Sequence, residues 1–228
     1  MIAPISLRRS VSVFLFIATA GVLSATRTEA ALTLSPVTQG RVTLGGAVGE
    51  NNPELLVGDS SANGTVFTSV FNFSLSSSTA EIAAANQITF TINPTAQNDV
   101  GPDIRLIALN GDGSAVDMLD ANAVGVTVGT FTRAVVASAL SLGQALTFDV
   151  TEWVKADALA GTHTTFRLES TSLASNNDGN SDAFVFGRQD TSTAALNIIP
   201  EPASAALVGL GMVGLVARRR PRVSCAGG

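Results

Sequence analysis

The chain has no tyrosine, one tryptophan (Trp153), one histidine (His163) and one cysteine (Cys225) among its 228 residues. Each scarcity removes a class of chemistry. One histidine excludes a two-histidine metal site, and a Ser-His-Asp triad would have to use His163, which follows Gly161-Thr162 in what reads as a loop before a strand. No Gly-x-Ser-x-Gly elbow and no phosphate-binding glycine loop is present. A lone cysteine excludes an intrachain disulfide, so any folded part is held by packing and strand pairing alone. Without tyrosine, the aromatic platform on which sugars stack is reduced to Trp153, for which a core position is the competing reading.

Charge is also scarce, at 14% of residues, and it is unevenly placed. Seven of the thirteen basic residues lie at the two ends: Arg8, Arg9 and Arg27, then Arg218, Arg219, Arg220 and Arg222. Residues 31–199 keep six basic against sixteen acidic residues, a net charge of −10 where the whole chain has −5. A body this acidic is repelled by nucleic acid and by anionic membranes, both of which are bound through basic patches.

The ends read as processing signals. Arg8-Arg9, an apolar run from Val11 to about Leu23 and the small residues of Thr28-Glu29-Ala30 form a secretory signal peptide over residues 1–30. Signal peptidase, which requires small side chains one and three residues upstream, is expected to cut between Ala30 and Ala31. At the other end stand Pro200-Glu201-Pro202, the uncharged apolar segment 203–217, the arginine cluster and a short tail, 223–228. The segment is too short to span a bilayer comfortably, and the arginines place its far end in the cytoplasm. Prolines on both sides of Glu201 favour an extended, non-helical presentation of the tripeptide. In these elements and their order, residues 199–222 resemble the sorting tail of PEP-CTERM proteins. That resemblance implies recognition by an exosortase, transient residence in the inner membrane of a Gram-negative-type bacterium, and onward transfer to the cell surface or exopolysaccharide matrix.

Between the signals, residues 31–198 suffice for one domain. About nine short runs alternate apolar and polar residues, among them Phe71-Asn-Phe-Ser-Leu75, Ile88-Thr-Phe-Thr-Ile92 and Leu146-Thr-Phe-Asp-Val150. Period two puts Ile88, Phe90 and Ile92 on a core face and Thr89 and Thr91 on a wet one. With turns such as Asn63-Gly64 between them, the runs predict an all-β fold, an antiparallel β-sandwich or jelly roll. One helix is expected, Thr151 to Leu159, with Thr151 as its cap and Gly161 as its stop; Ala134 to Leu142 reads as a helix or as irregular chain.

Leu55-Leu-Val-Gly58, Phe71-Asn-Phe-Ser-Leu75, Phe148-Asp-Val-Thr-Glu-Trp-Val154, Thr165-Phe-Arg-Leu168 and Phe184-Val-Phe-Gly-Arg-Gln189 resemble DNRLRE-type carbohydrate-binding-like β-sandwich modules. The resemblance implies a glycan-binding role. For a metal, Asp178, Asn180 and Asp182 alternate around Gly179, an oxygen set suited to calcium, whereas Asn110-Gly-Asp-Gly113 lacks an acid at Ala108 to open such a loop. The expected function is therefore non-catalytic: a secreted surface or exopolysaccharide-matrix protein, or else a carbohydrate-binding module, or else a polysaccharide-degrading enzyme working with two of the many carboxylates.

Overall fold

A computed structural model describes residues 31–43, 54–60, 65–109, 116, 118–172 and 181–201. The described strands are β1 (Leu32–Leu34), β2 (Thr38–Thr43), β3 (Glu54–Ser60), β4 (Thr65–Ser74), β5 (Ala85–Ile92), β6 (Ala96–Asn98), β7 (Ile104–Leu109), β8 (Gly125–Phe131), β9 (Leu146–Asp149), β10 (His163–Ser170), β11 (Ala183–Arg188) and β12 (Ala195–Pro200). Among the described residues four helices interrupt them: α1 (Thr79–Ala84), α2 (Met118–Asn122), α3 (Arg133–Leu142) and α4 (Thr151–Ala160). All strand pairings described are antiparallel. They build a four-stranded sheet in the order β1-β12-β5-β9 and an eight-stranded sheet in the order β6-β11-β3-β4-β10-β7-β8, with β2 paired to β4.

The two sheets pack face to face through phenylalanines. Phe90 of β5 lies 5.4 Å from Phe71, 6.1 Å from Phe73 and 5.7 Å from Phe166, ring centre to ring centre, so one ring bridges both sheets. Ile88, Phe90 and Ile92 are all fully buried, as period two requires. Thr89, assigned to a wet face, is instead 8% exposed, because β5 runs between β12 and β9 with Asn197 and Asp149 as its lateral partners.

The expectation of one helix falls short. α3 forms where the sequence was ambiguous: Val136 and Ala139, three apart, turn inward, and Gly143 at φ 64° ends the helix with its N–H on Leu140 O. α1 and α2 are too short to show a helical period, at six and five residues. α4 forms where a helix from Thr151 to Leu159 was expected and runs one residue further, Thr151–Ala160, with Gly161 at its end, but Thr151 is its first helical residue and not its cap. The capping acceptor is Asp149, whose Oδ1 takes the Thr151 N–H at 3.0 Å.

The outer face of the large sheet is not uniformly wet either. α2 closes a second small cluster there, Val42, Val70 and Ala121, with Val116 packed against it. Beside it Arg167 is 8% and Glu169 1% exposed. No described helix is long and apolar enough to cross a membrane, and segment 203–217 lies outside the described residues, as do residues 1–30.

Candidate functional site

The sorting end of the chain grows directly out of the small sheet. Residues 195–200 form β12, with Leu196 against Phe90 and Ile198 against Ile88 of β5, and Leu196 and Ile198 are fully buried. The register shifts after Ile199 and brings Pro200 opposite Ala85, where a residue without an N–H can end a ladder. Glu201 follows, exposed. On the other side of β12 lies β1, three residues long, whose first residue Leu32 is one position after Ala31, the expected mature N-terminus.

Helices brace this corner. Lys155 of α4 donates from Nζ to Ala85 O at 2.6 Å, the residue facing Pro200. The Ile88 N–H donates to Thr151 Oγ1 at 2.8 Å, and that hydroxyl donates to Asp149 Oδ1 at 2.6 Å. The Thr151 hydroxyl, then the Thr151 N–H, hold the Asp149 carboxyl below the usual carboxylate range, against a smaller opposing effect of burial. A depressed carboxyl stabilises the fold above its unfolded value, and the contribution disappears as pH falls through the folded value. Asp149 is exposed, so solvent screens much of this contribution, and Asp149→Ala is expected to cost at most about 1 kcal/mol at neutral pH, with mutant and wild type converging in acid; thermal melts from neutral pH downward check it.

Of the three residues read as calcium ligands, only Asp182 is among the described residues; Asp178 and Asn180 lie outside them. Asp182 lines an open cavity of about 440 Å³ with Gly58, Asp59, Asp103, Arg133 and Ser170. Its carboxylates already hold backbone. Asp182 Oδ1 accepts from the Val100 N–H at 3.2 Å, Asp59 Oδ1 from the Asp182 N–H at 3.0 Å, and Asp103 Oδ1 from the Arg133 N–H at 2.6 Å. Gly58 sits at φ +136°, and a Cβ there would fall 2.0 Å from Asp182 O, so the wall of the cavity requires glycine. No group of three or more metal-ligating acids, histidines or cysteines occurs among the described residues. Asp59, Asp103 and Arg133 carried no motif that could have grouped them, since they come from β3, the approach to β7 and the start of α3.

Trp153, the candidate sugar contact, is half-buried on α4 and packs against the main core. His163, expected in a loop, is the first residue of β10, opposite Ser74 of β4. Its Nδ1 lies 2.8 Å from the Thr162 hydroxyl. Asp157 has a carboxyl raised by burial, the environment expected of a catalytic acid, but the hydroxyl of Thr164 on β10 donates to it at 2.5 Å and ties α4 to the sheet.

The PEP-CTERM protein-sorting motif matches residues 199–220, starting on the last two residues of β12. None of the curated proteins matches the chain. The chain thus ends in the recognition element for exosortase-dependent export to the cell surface. Pro200 and Glu201 are described members of that motif; Pro202, Arg218, Arg219 and Arg220 lie outside the described residues. The resemblance of the middle region to DNRLRE-type modules finds no support in these comparisons.

Proposed function

We propose that the chain is a secreted, non-catalytic protein of the cell surface or exopolysaccharide matrix, with residues 31–198 as the delivered domain. The observation that carries this reading is the sorting motif fused without a linker to the last strand of a folded β-domain. The N-terminal signal peptide expected over residues 1–30 supplies the matching export step. A scaffold role is favoured over catalysis because the two carboxyl groups shifted from their ordinary range, Asp149 and Asp157, hold helix α4 in place through Thr151 and Thr164. It is favoured over glycan binding because no aromatic side chain is exposed among the described residues and the domain is strongly acidic.

The test compares cells with and without the sorting enzyme. Cells with it are expected to deliver a protein lacking Arg218–Gly228 to the surface, read by mass spectrometry of the C-terminus; an intact tail on the surface protein would refute the reading. A glycan array run with and without calcium separates scaffold from binding module, and release of sugar fragments would reveal an enzyme. Trp153→Ala is expected to lower the melting temperature by several degrees, as loss of a half-buried ring should, and to leave any glycan retention unchanged. Loss of retention at an unchanged melting temperature would assign Trp153 to the sugar.

A further inference from the structure

Both sheets end on one side of the sandwich. β8 closes the order of the large sheet and β9 that of the small one, and Phe131 of β8 meets Phe148 of β9 with ring centres 4.7 Å apart. α3 connects the two strands and carries the exposed Val135 and Leu142. Between them opens a cleft of about 450 Å³, lined by Phe131, Ala134, Val135, Ala139 and Leu146 among others and by no charged side chain. This side of the molecule comes from one nearly uncharged length of chain. Between Asp120 and Asp149 the only charged residue is Arg133, so all sixteen acidic residues of 31–199 lie outside it.

The β8 edge is open in a way the other edges are not. Edge strands are normally blunted by shortness, charge or proline, because their unpaired N–H and C=O groups invite another strand. At the other ends of the two sheets, β1 and β6 have three residues each and β9 four. β2, which pairs with β4 alone among the described strands, carries Arg41. β8 has seven residues, Gly125-Val-Thr-Val-Gly-Thr-Phe131, with neither charge nor proline, and its described partner is β7 alone. Val126 is exposed, and Val124 just before the strand is 93% exposed. The register with β7 steps from Leu106–Gly129 to Ile107–Thr127, which leaves Val128 as a bulge. A bulge adds twist, so the edge suits one further strand better than a flat growing ribbon.

We propose that β8 pairs edge to edge with β8 of a second copy, joining two large sheets across a two-fold axis. Charge selects the occupant. A basic partner would be drawn to the acidic faces of a domain with net charge −10, away from this neutral edge. A second copy is repelled everywhere else and meets no like charge here, and an isologous contact presents the same neutral strand from both sides. Self-pairing belongs to residues 31–198 and stands whether or not the sorting tail is processed.

The test uses the full chain with Cys225→Ser in mild detergent, so that the only thiol is an introduced one. Thr127→Cys and Thr130→Cys place it on β8, and Leu159→Cys places it on α4, where the side chain is 90% exposed and away from the edge. A short bis-maleimide is expected to join the β8 thiols into dimers and to join Leu159→Cys about tenfold less. Raising salt from about 0.05 to about 0.5 M is expected to increase the β8 product, because it screens repulsion between two acidic domains. Adding Val126→Lys, or Val124→Lys as a second variant, is expected to lower the product about tenfold by setting like charges together, with the melting temperature nearly unchanged as for a surface substitution. Equal joining through Leu159→Cys, no joining through either β8 thiol, or a product that falls as salt rises overturns the proposal. Applied to intact cells, the reagent is expected to give the same dimer; β8 thiols joined only to a different protein overturn the second copy as occupant.

Discussion

Glu169→Ala is expected to destabilise the domain by about 3–5 kcal/mol, because it removes the one carboxylate between two guanidinium groups in a buried site. Glu169 is 1% exposed. Its Oε1 accepts from Arg105 Nε at 2.7 Å and from Arg105 Nη2 at 2.7 Å, and its Oε2 accepts from Arg167 Nε at 2.6 Å. Arg167 is 8% exposed, and its Nη1 donates to the carbonyls of Asp120, Ala121 and Ala123 at 2.8, 2.9 and 3.0 Å. These carbonyls lie at the C-terminal end of α2, where carbonyl groups lack intrahelical partners and a cation is favoured. Arg167 therefore needs Glu169 for charge and α2 for its remaining donors.

Two companions sharpen the expectation. Arg167→Lys keeps the charge but loses the planar fork that reaches Glu169 and three carbonyls together, so it should cost a substantial part of the same energy. Glu169→Leu combined with Arg167→Met should recover part of the loss, since a buried ion cluster replaced by apolar groups is often neutral. Urea unfolding midpoints at constant slope measure all three. A Glu169→Ala loss below about 1 kcal/mol would show that the cluster is solvated and contributes as little as a surface pair.

This cluster also shows where sequence reading stops. The strand Thr165-Phe-Arg-Leu168 was legible from period two, and Phe166 and Leu168 are fully buried. Arg167 and Glu169 share the opposite face, which alternation alone assigns to water. What buries them is α2, a five-residue helix that depends on tertiary contacts and has too few turns to carry a period. One signal was present: in a domain with six basic residues, two of them meet a single glutamate on adjacent strands. Without the pairing of β7 with β10, which sets Arg105 opposite Glu169, that signal could not be read.

The candidate site divides the same way. The sorting motif was legible because its elements are contiguous and ordered along the chain, so no fold is needed to assemble them. The corner that presents it was not, because Ala31, Ala85, Lys155 and Pro200 converge only through the order β1-β12-β5-β9 and the docking of α4. The cavity around Asp59, Asp103 and Arg133 was hidden for the same reason, and the calcium pattern singled out only its one neighbour Asp182. Thr151 illustrates a local miss. A threonine before a helical run is a reasonable cap, but here Asp149 takes the backbone N–H and leaves the threonine hydroxyl to secure Ile88 of the small sheet.

Phe90→Ala should have an effect of the same size, about 3–5 kcal/mol, through loss of contacts and an unfilled cavity. The ring is fully buried and faces four others, Phe71, Phe73 and Phe166 of the large sheet and Phe148 of β9. Few neighbours can move in to fill the space, since each is fixed in its own strand. Phe131→Ala, on the exposed edge strand β8 with Phe148 4.7 Å away, should cost clearly less because solvent already reaches it. Phe90 also stands in register with Leu196 of β12, so weakening it loosens the strand that leads into the sorting tail. Against a total stability of about 5–15 kcal/mol, the change multiplies the unfolded fraction by a hundred or more. The export consequence follows from the fold: surface yield of Phe90→Ala should fall well below that of Phe131→Ala in the same cells, as more of the chain is lost to proteolysis before the tail is cut. Equal surface yields for the two variants, with the expected difference in unfolding midpoint, would show that delivery does not require the folded domain.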